Sequence, residues 1–261
     1  MHPYEDRQTG GHGIPQERII RKMDEYMSRR DYAGAERHLL YWLEEARLGQ
    51  DRRGELLIRN ELVGHFRKTG NRAAALENGE RALDLLGELG FENSVSGGTT
   101  YVNMATACNA FGENERAMDL FEQARRIYEA DGQTRPDLLG GLYNNMALCC
   151  TALGRYEEAD TLFQKALAVM ADVPGGGLEQ AITWLNMADA AVAGDGMEKS
   201  EVRVRYYLDR AAALLTDPAI PRDGYYAFVC EKCAPVFSYY GYFRMAGQLR
   251  EAAQAIYQAD G

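Results

Sequence analysis

The sequence predicts an all-α fold built from about six antiparallel helix pairs. Three glycines, Gly70, Gly112 and Gly154, follow one another at intervals of 42 residues, which indicates an internal repeat. Alanines recur five and twelve residues after each of these glycines: Ala75, Ala117 and Ala159, then Ala82, Ala124 and Ala166. No stretch alternates polar and apolar residues as a half-buried strand does, so the repeating unit is helical.

The composition indicates a folded, acidic protein and excludes several function classes. Of 261 residues, 46% are hydrophobic, and 39 Asp and Glu outnumber 29 Lys and Arg. That balance argues against non-specific binding to nucleic acid or an anionic membrane. No apolar run reaches the roughly 18 residues of a membrane span. Five Cys, mostly in apolar helical sequence, favour a cytoplasmic location. Residues 1–13 are expected to be a disordered tail.

The helix pairs are expected at approximately 14–49, 51–90, 95–130, 136–172, 178–215 and 222–258. Connectors rich in turn residues separate them, and residues 14–258 are expected to form one continuous solenoid. In the fifth pair the turn is expected to be longer, through Gly194 to Ser200, with a second helix from about Glu201. In the second pair, Gly79 stands where later copies have Phe121 and Phe163.

Each conserved spacing has a physical reason. Ala105 and Ala117 are small enough to let two antiparallel helices approach closely, and the large Phe121 fills the gap between pairs. Gly112 and Gly154 fall where a first helix ends, a position that favours a left-handed residue without a Cβ atom.

The two best copies read YVNMATACNAFGENERAMDLFEQA from Tyr101 and YNNMALCCTALGRYEEADTLFQKA from Tyr143. Their aromatic, apolar and small residues, followed by Ala-x3-Phe, resemble the tetratricopeptide repeat (TPR), here extended from about 34 to 42 residues as in kinesin light chains and bacterial TPR regulators. The resemblance implies a right-handed α-α superhelix. It also implies that first helices line a concave groove and second helices cover the outside.

The charge distribution agrees with that arrangement. Residues 95–112 and 138–154 contain no charged side chain, whereas the segments that follow each of them are densely charged. A groove that receives a ligand can be lined by neutral amides and hydroxyls. By the resemblance, the groove-facing residues of the central pairs are Thr99, Val102, Thr106, Asn109, Asn144, Leu148 and Thr151.

Asparagines in the first helices have two interpretations. Asn103, Asn145 and Asn186 occupy a position where the family commonly has Asn. They either bond a neighbouring turn within the protein or form an amide ladder that bonds the main chain of an extended peptide, since an amide both donates and accepts. Asn109 and Asn144 are the stronger candidates for the ladder.

Arg67 and Lys68, at the end of the first helix of the second pair, also align with groove positions. They are candidates to anchor a carboxylate at one end of a peptide. The alternative is an ordinary solvated face near a helix C-terminus.

Patterns that would indicate chemistry are incomplete. Cys230 and Cys233 form a CxxC spacing, but a metal site of this type needs a second pair of ligands, and a redox site needs a βαβ context. The four His form no metal-binding motif, and Gly175–Gly177 lack the strand and Lys of a phosphate loop. We therefore expect no enzyme activity, no metal and no cofactor.

The last pair is rich in aromatic residues: Tyr225, Tyr226, Phe228, Phe237, Tyr239, Tyr240, Tyr242 and Phe243. They either fill the core or form an exposed adhesive surface. Because a solenoid ends in a polar face or buries its last apolar face in a partner, a homodimer through this end is a hypothesis. Sedimentation that shows only monomer would exclude it.

The sequence therefore predicts a cytoplasmic, non-catalytic scaffold whose groove captures a protein segment or extended peptide. Two alternatives stay open. One is a stand-alone bacterial peptide-sensing regulator that acts on another protein. The other is an enzyme or small-molecule carrier with a site in the solenoid hollow.

Overall fold

The computed structural model describes residues 13–259. Over this range the chain forms twelve α-helices and no strand, and consecutive helices pack as six pairs. The helices are α1 Gln16–Ser28, α2 Tyr32–Leu48, α3 Arg52–Thr69, α4 Arg72–Leu89, α5 Val95–Ala110, α6 Asn114–Ala130, α7 Pro136–Ala152, α8 Tyr156–Ala171, α9 Gly177–Asp195, α10 Met197–Leu215, α11 Gly224–Tyr239 and α12 Phe243–Ala259. The predicted all-α fold of about six helix pairs is confirmed.

The chain divides into two compact units. Unit 1, Met1–Thr134, contains α1 to α6, and unit 2, Arg135–Gly261, contains α7 to α12. The single solenoid over residues 14–258 stays a prediction. The tail at residues 1–13 lies, except for Gly13, outside the described residues. None of the helices over residues 13–259 combines the length and the apolarity that crossing a membrane requires.

Left-handed residues end the first helix of every pair. They are Arg30 (φ 55°), Gly70 (77°), Gly112 (82°), Gly154 (73°), Gly196 (79°) and Gly241 (83°). Gly196 follows Gly154 by another 42 residues and makes the fifth turn alone, so α10 begins directly at Met197. The expected longer turn through Ser200 is therefore wrong. Ser200 lies in the first turn of α10, where its hydroxyl donates to the Gly196 carbonyl at 2.6 Å.

Polar side chains begin several helices. Asp31, Asp51, Asn71 and Ser94 each accept a hydrogen bond from the backbone N–H three residues later, at 2.8–3.2 Å. Such caps satisfy backbone donors that have no partner within the helix and contribute about 1 kcal/mol each. They fix where the second helix of a pair starts relative to the turn before it.

Small and large residues alternate in the core as the repeat predicts. Ala75, Ala105 and Ala117 are fully buried, as is Phe121. At Gly79, which replaces the phenylalanine of later copies, an added Cβ would collide with the Met104 side chain. Met104 therefore occupies the volume that an aromatic ring fills elsewhere.

A buried ion network joins α3 to α4 in unit 1. The Glu55 side chain is only 2% exposed and accepts hydrogen bonds from Arg59 Nε at 2.9 Å and from Arg52 Nη1 at 3.2 Å. Arg59 Nη1 also donates to Asn78 Oδ1 of α4 at 3.0 Å, and Arg81 Nε lies 3.9 Å from the Glu55 carboxylate. The carboxylate thus holds three guanidinium groups at the junction of the two helices.

Unit 2 is packed by aromatic and small side chains. Phe163 and Phe237 are buried, and Ala159 and Ala166 are fully buried between helices. Trp184 of α9 stacks on Tyr207 of α10, with ring centroids 5.6 Å apart and planes 28° apart. These contacts hold the first helices α7, α9 and α11 in place within the unit.

Candidate functional site

The left-handed turns give the first helices a common register. We call the inner face the side of a first helix that carries the residues three, six and ten positions before its left-handed residue. Those spacings of three and four residues place them on one side of a helix. In α3, α5 and α7 they are Arg67, Gly64 and Asn60; Asn109, Thr106 and Val102; and Thr151, Leu148 and Asn144.

First helices also contact one another within each unit. In unit 1 α3 packs on α5, and in unit 2 α9 packs on both α7 and α11. Six predicted groove residues are half-buried: Val102, Thr106, Asn109, Asn144, Leu148 and Thr151. Arg67 and Lys68 are exposed. The first three of the half-buried residues and the two basic residues belong to unit 1, and the other three belong to unit 2.

In unit 1 an amide network joins α3 to α5. Asn103 Nδ2 donates to Asn60 Oδ1 at 3.0 Å, and Asn60 Nδ2 donates to Thr100 Oγ1 and to the Leu56 carbonyl, each at 3.0 Å. Asn60 is 4% exposed, so these bonds are internal. Asn103 therefore joins two first helices.

Unit 2 contains the corresponding network between α7 and α9. Asn186 Nδ2 donates to Asn144 Oδ1 at 3.0 Å, and Thr183 Oγ1 lies 3.2 Å from the same oxygen. The amide nitrogen of Asn144 makes no hydrogen bond to another described residue. Asn144 thus has its acceptor engaged by the protein and its donor available to a ligand carbonyl.

The threonines of the inner face present acceptors. The Thr106 hydroxyl donates to the Val102 carbonyl at 2.7 Å, and the Thr151 hydroxyl donates to the Ala147 carbonyl at 2.9 Å. Because each hydroxyl has a single hydrogen, only its lone pairs are left for another molecule. These positions suit N–H groups.

Asn109 carries the clearest unmet hydrogen-bonding group of the inner face. Its Oδ1 atom is buried and has no hydrogen-bond partner among the described residues. A buried carbonyl oxygen without a donor costs about 1–3 kcal/mol. A peptide N–H placed on this oxygen would remove that cost.

The structure separates the two basic residues that the sequence grouped. Lys68 Nζ lies 5.2 Å from the centre of the Tyr32 ring, at the start of α2, and so points toward the preceding pair. Arg67 is at an inner-face position and forms no ion pair within residues 13–259. Arg67 is therefore the better placed of the two to meet a ligand carboxylate.

Gly64, one turn before Arg67, opens the inner face of unit 1. A Cβ added there would meet no atom within 4 Å, and its helical backbone has no positive φ. Glycine in a helix interior is less stable than alanine by about 1 kcal/mol. Neither packing nor backbone conformation thus requires a glycine at this position.

We therefore expect Gly64→Ala to raise the free energy of unfolding by about 0.5–1 kcal/mol. The matched change Gly79→Ala should lower it, because its Cβ would displace Met104. Urea denaturation of both variants measures the difference. A destabilised Gly64→Ala protein would show that the space is not open.

A carboxyl group near this opening was missed by sequence reasoning. Glu61 of α3 is half-buried, and burial together with the charge of Asp24 raises its pKa to about 7. No described cation is paired with it. Its sequence context, among charged residues of α3, gave no sign of burial.

Further carboxyl groups lie on α9 in unit 2. The Tyr240 hydroxyl donates to Asp189 Oδ1 at 2.7 Å, and the Tyr225 hydroxyl donates to Glu179. Burial raises the pKa of both carboxyl groups. The neutral surface that the sequence predicts is thus confined to α5 and most of α7.

The sequence also singled out thiols and aromatic residues. Cys230 and Cys233 are buried free thiols in α11, and burial raises the pKa of Cys233 to about 12, so neither is a ready nucleophile. Among residues 13–259, no three His, Cys, Asp or Glu side chains are grouped to hold a metal ion.

The aromatic residues of the last pair divide between core and surface. Tyr226 and Phe237 are buried, whereas Tyr225, Phe228, Tyr239 and Phe243 are exposed. The first two exposed rings are at the start of α11 and the other two near its end, roughly 20 Å away at 1.5 Å per residue. The homodimer through this pair stays a prediction.

Comparisons with known proteins agree with this architecture. A family model described as "Tetratricopeptide repeat" matches residues 55–130 and 138–201. No curated protein matches the chain. Among solved structures, the nearly identical TPR-like repeats of a Podosopora anserina kinesin light chain are 19% identical, with 77% of this chain and 94% of that chain covered and a TM-score of 0.51.

Two further structures are similar over most of the chain. BtubC (BKLC) from P. vanneervenii is 18% identical, with 94% of this chain and 92% of that chain covered and a TM-score of 0.51. A Rap protein complexed with Competence and Sporulation Factor is 12% identical, with 97% and 77% covered and a TM-score of 0.57. These likenesses establish the fold, and the family model covers more than half of the sequence. The chain belongs to the tetratricopeptide repeat family.

Proposed function

We propose that this protein is a non-catalytic scaffold whose inner faces hold an extended segment of a partner protein or peptide. Members of the family are generally protein-interaction scaffolds. The observation that carries the proposal is the buried Asn109 oxygen without a donor, on the same helix side as Thr106. An extended main chain offers alternating N–H and C=O groups, and these match the acceptors of Asn109 and Thr106 and the donor of Asn144.

Arg67 gives the bound segment an end in unit 1. Neighbouring packed helices lie about 8–10 Å apart, a distance that an extended chain covers in about three residues. A carboxylate on Arg67 would therefore place a main-chain N–H about three residues earlier in the ligand near Asn109. Val102 and the space beside Gly64 would accept apolar or bulky side chains.

A stand-alone peptide-sensing regulator is a second candidate. It is favoured by the fold likeness to a Rap protein whose structure contains Competence and Sporulation Factor, over 97% of this chain. In that case binding of a small peptide would change the contact with another protein. The two candidates share the inner face and differ in the size of the ligand.

The test is capture of partners from a lysate by wild-type protein and by an Asn109→Ala/Asn144→Ala double variant, followed by mass spectrometry. The matched control is Gln248→Ala/Gln254→Ala, which removes two exposed amides of α12. We expect partners that the wild type and the control retain and the Asn variant loses. Partners that all three proteins retain equally would contradict use of the inner face, and a bound small peptide rather than a protein would favour the sensor.

A further inference from the structure

An exposed pair of aromatic rings lies beside a half-buried carboxyl group in unit 2. Tyr225 and Phe228, in the first turns of α11, are 47% and 43% exposed. Their centroids are 6.2 Å apart and their planes 23° apart, so they form a stacked platform. The Tyr225 hydroxyl donates to Glu179 Oε1 of α9, which fixes the carboxyl group next to the rings.

All three side chains follow the inner-face register. Glu179 precedes Thr183 and Asn186 by four and seven residues, and these two contact Asn144 of α7. Phe228 lies thirteen residues before Gly241, as Thr183 lies thirteen before Gly196, so the two occupy equivalent positions of neighbouring first helices. The platform therefore belongs to the surface for which peptide binding is proposed above.

The carboxyl group lacks a full ionic partner. Burial raises its pKa, the charge of Asp137 raises it further, and Lys232 lowers it. Yet no ion pair joins Lys232 to Glu179 in the described part of the chain. Because Tyr225 engages Oε1, the second carboxylate oxygen is left for a cationic donor.

We propose that Glu179, Tyr225 and Phe228 bind an arginine side chain of the segment held on the inner face of unit 2. A guanidinium group is planar, stacks on aromatic faces and donates in parallel to a carboxylate, whereas an ammonium group is more strongly hydrated and cannot stack. The inference rests on the proposed function for the segment that carries the arginine. The pairing of chemistry itself rests on these three side chains.

The probe is the capped pentapeptide acetyl-Gly-Ser-Arg-Ser-Gly-amide, titrated into the full chain while Tyr and Phe ring signals are followed by NMR. We expect saturable shifts for the rings of the platform. The same peptide with citrulline, a neutral residue of nearly the same shape, should bind at least about tenfold more weakly, because it cannot form the ion pair.

Three variants make the test specific. Glu179→Gln keeps an acceptor for Tyr225 and should weaken binding about tenfold, and Phe228→Ala should weaken it several-fold. Tyr239→Ala, which removes an exposed ring at the other end of α11, should leave it unchanged. The proposal is overturned if the arginine peptide gives no shifts at millimolar concentration, binds no better than the citrulline peptide, or binds Glu179→Gln as well as wild type. Such a failure would leave capture through Asn109 and Asn144 untouched, whereas failure of that capture would remove the proposed function and not the arginine site.

Discussion

Replacing Glu55 by glutamine is expected to lower the free energy of unfolding by about 3 kcal/mol. The Glu55 carboxylate is 2% exposed and holds Arg59, which is itself only 12% exposed. Removing one charge of a buried pair costs about 3–5 kcal/mol, because the remaining charge stays buried without a partner. Arg52 and Arg81 are more exposed and soften the effect, which places the expectation at the lower end of that range.

The measurement is urea denaturation of Glu55→Gln beside Glu44→Gln. Glu44 also pairs with an arginine, Arg47 at 3.4 Å, but both side chains are more than half exposed. Its replacement should change the free energy by less than about 0.5 kcal/mol. Equal stabilities for the two variants would mean that the α3–α4 network does not hold unit 1 together.

Replacing Glu61 by glutamine is expected to stabilise the protein by about 2 kcal/mol at pH 8 and by almost nothing at pH 4.5. The folded pKa of Glu61, about 7, is above the ordinary value of 4.5, so the folded state binds the proton more tightly than the unfolded state. The stabilisation that this provides is complete below pH 4.5 and is lost as the pH rises through 7. Each unit of pKa is worth about 1.4 kcal/mol, and the partial exposure of Glu61 reduces the total.

Glutamine resembles the protonated carboxyl and removes the cost of the buried charge above pH 7. Thermal or urea denaturation between pH 4.5 and 8.5 measures the difference, with exposed Glu77→Gln as the control. Asp24→Asn should shift the midpoint of the Glu61 effect to lower pH, since the Asp24 charge contributes to the raised pKa. A difference between Glu61→Gln and wild type that is the same at all pH values would contradict the assignment.

The fold was predictable because its determinants repeat along the sequence at fixed distances. Glycine at a left-handed turn and alanine at a close helix contact are local requirements, and Gly70, Gly112 and Gly154 marked them directly. The same reasoning failed at Ser200 because three turn-forming residues were given more weight than the 42-residue period. Gly196 alone makes that turn.

The site was less predictable because its contacts join residues far apart in the sequence. The sequence identified Asn109 and Asn144, but it could not show that Asn186 occupies the acceptor of Asn144 while the acceptor of Asn109 has no donor. The 46-residue contact of Tyr225 with Glu179 and the burial of Glu61 depend on how first helices stack. Adjacent Arg67 and Lys68 looked equivalent in sequence, yet a rotation of about 100° per residue directs them to different surroundings.

Photo-crosslinking tests most directly whether the inner face receives the partner. A photoreactive phenylalanine placed at Thr106 or Leu148, on inner faces, is compared with one at Asp119, on the exposed side of α6. The account predicts covalent attachment of the captured partner from positions 106 and 148 and none from position 119. Attachment from position 119 alone would contradict it and would assign partner binding to the second helices.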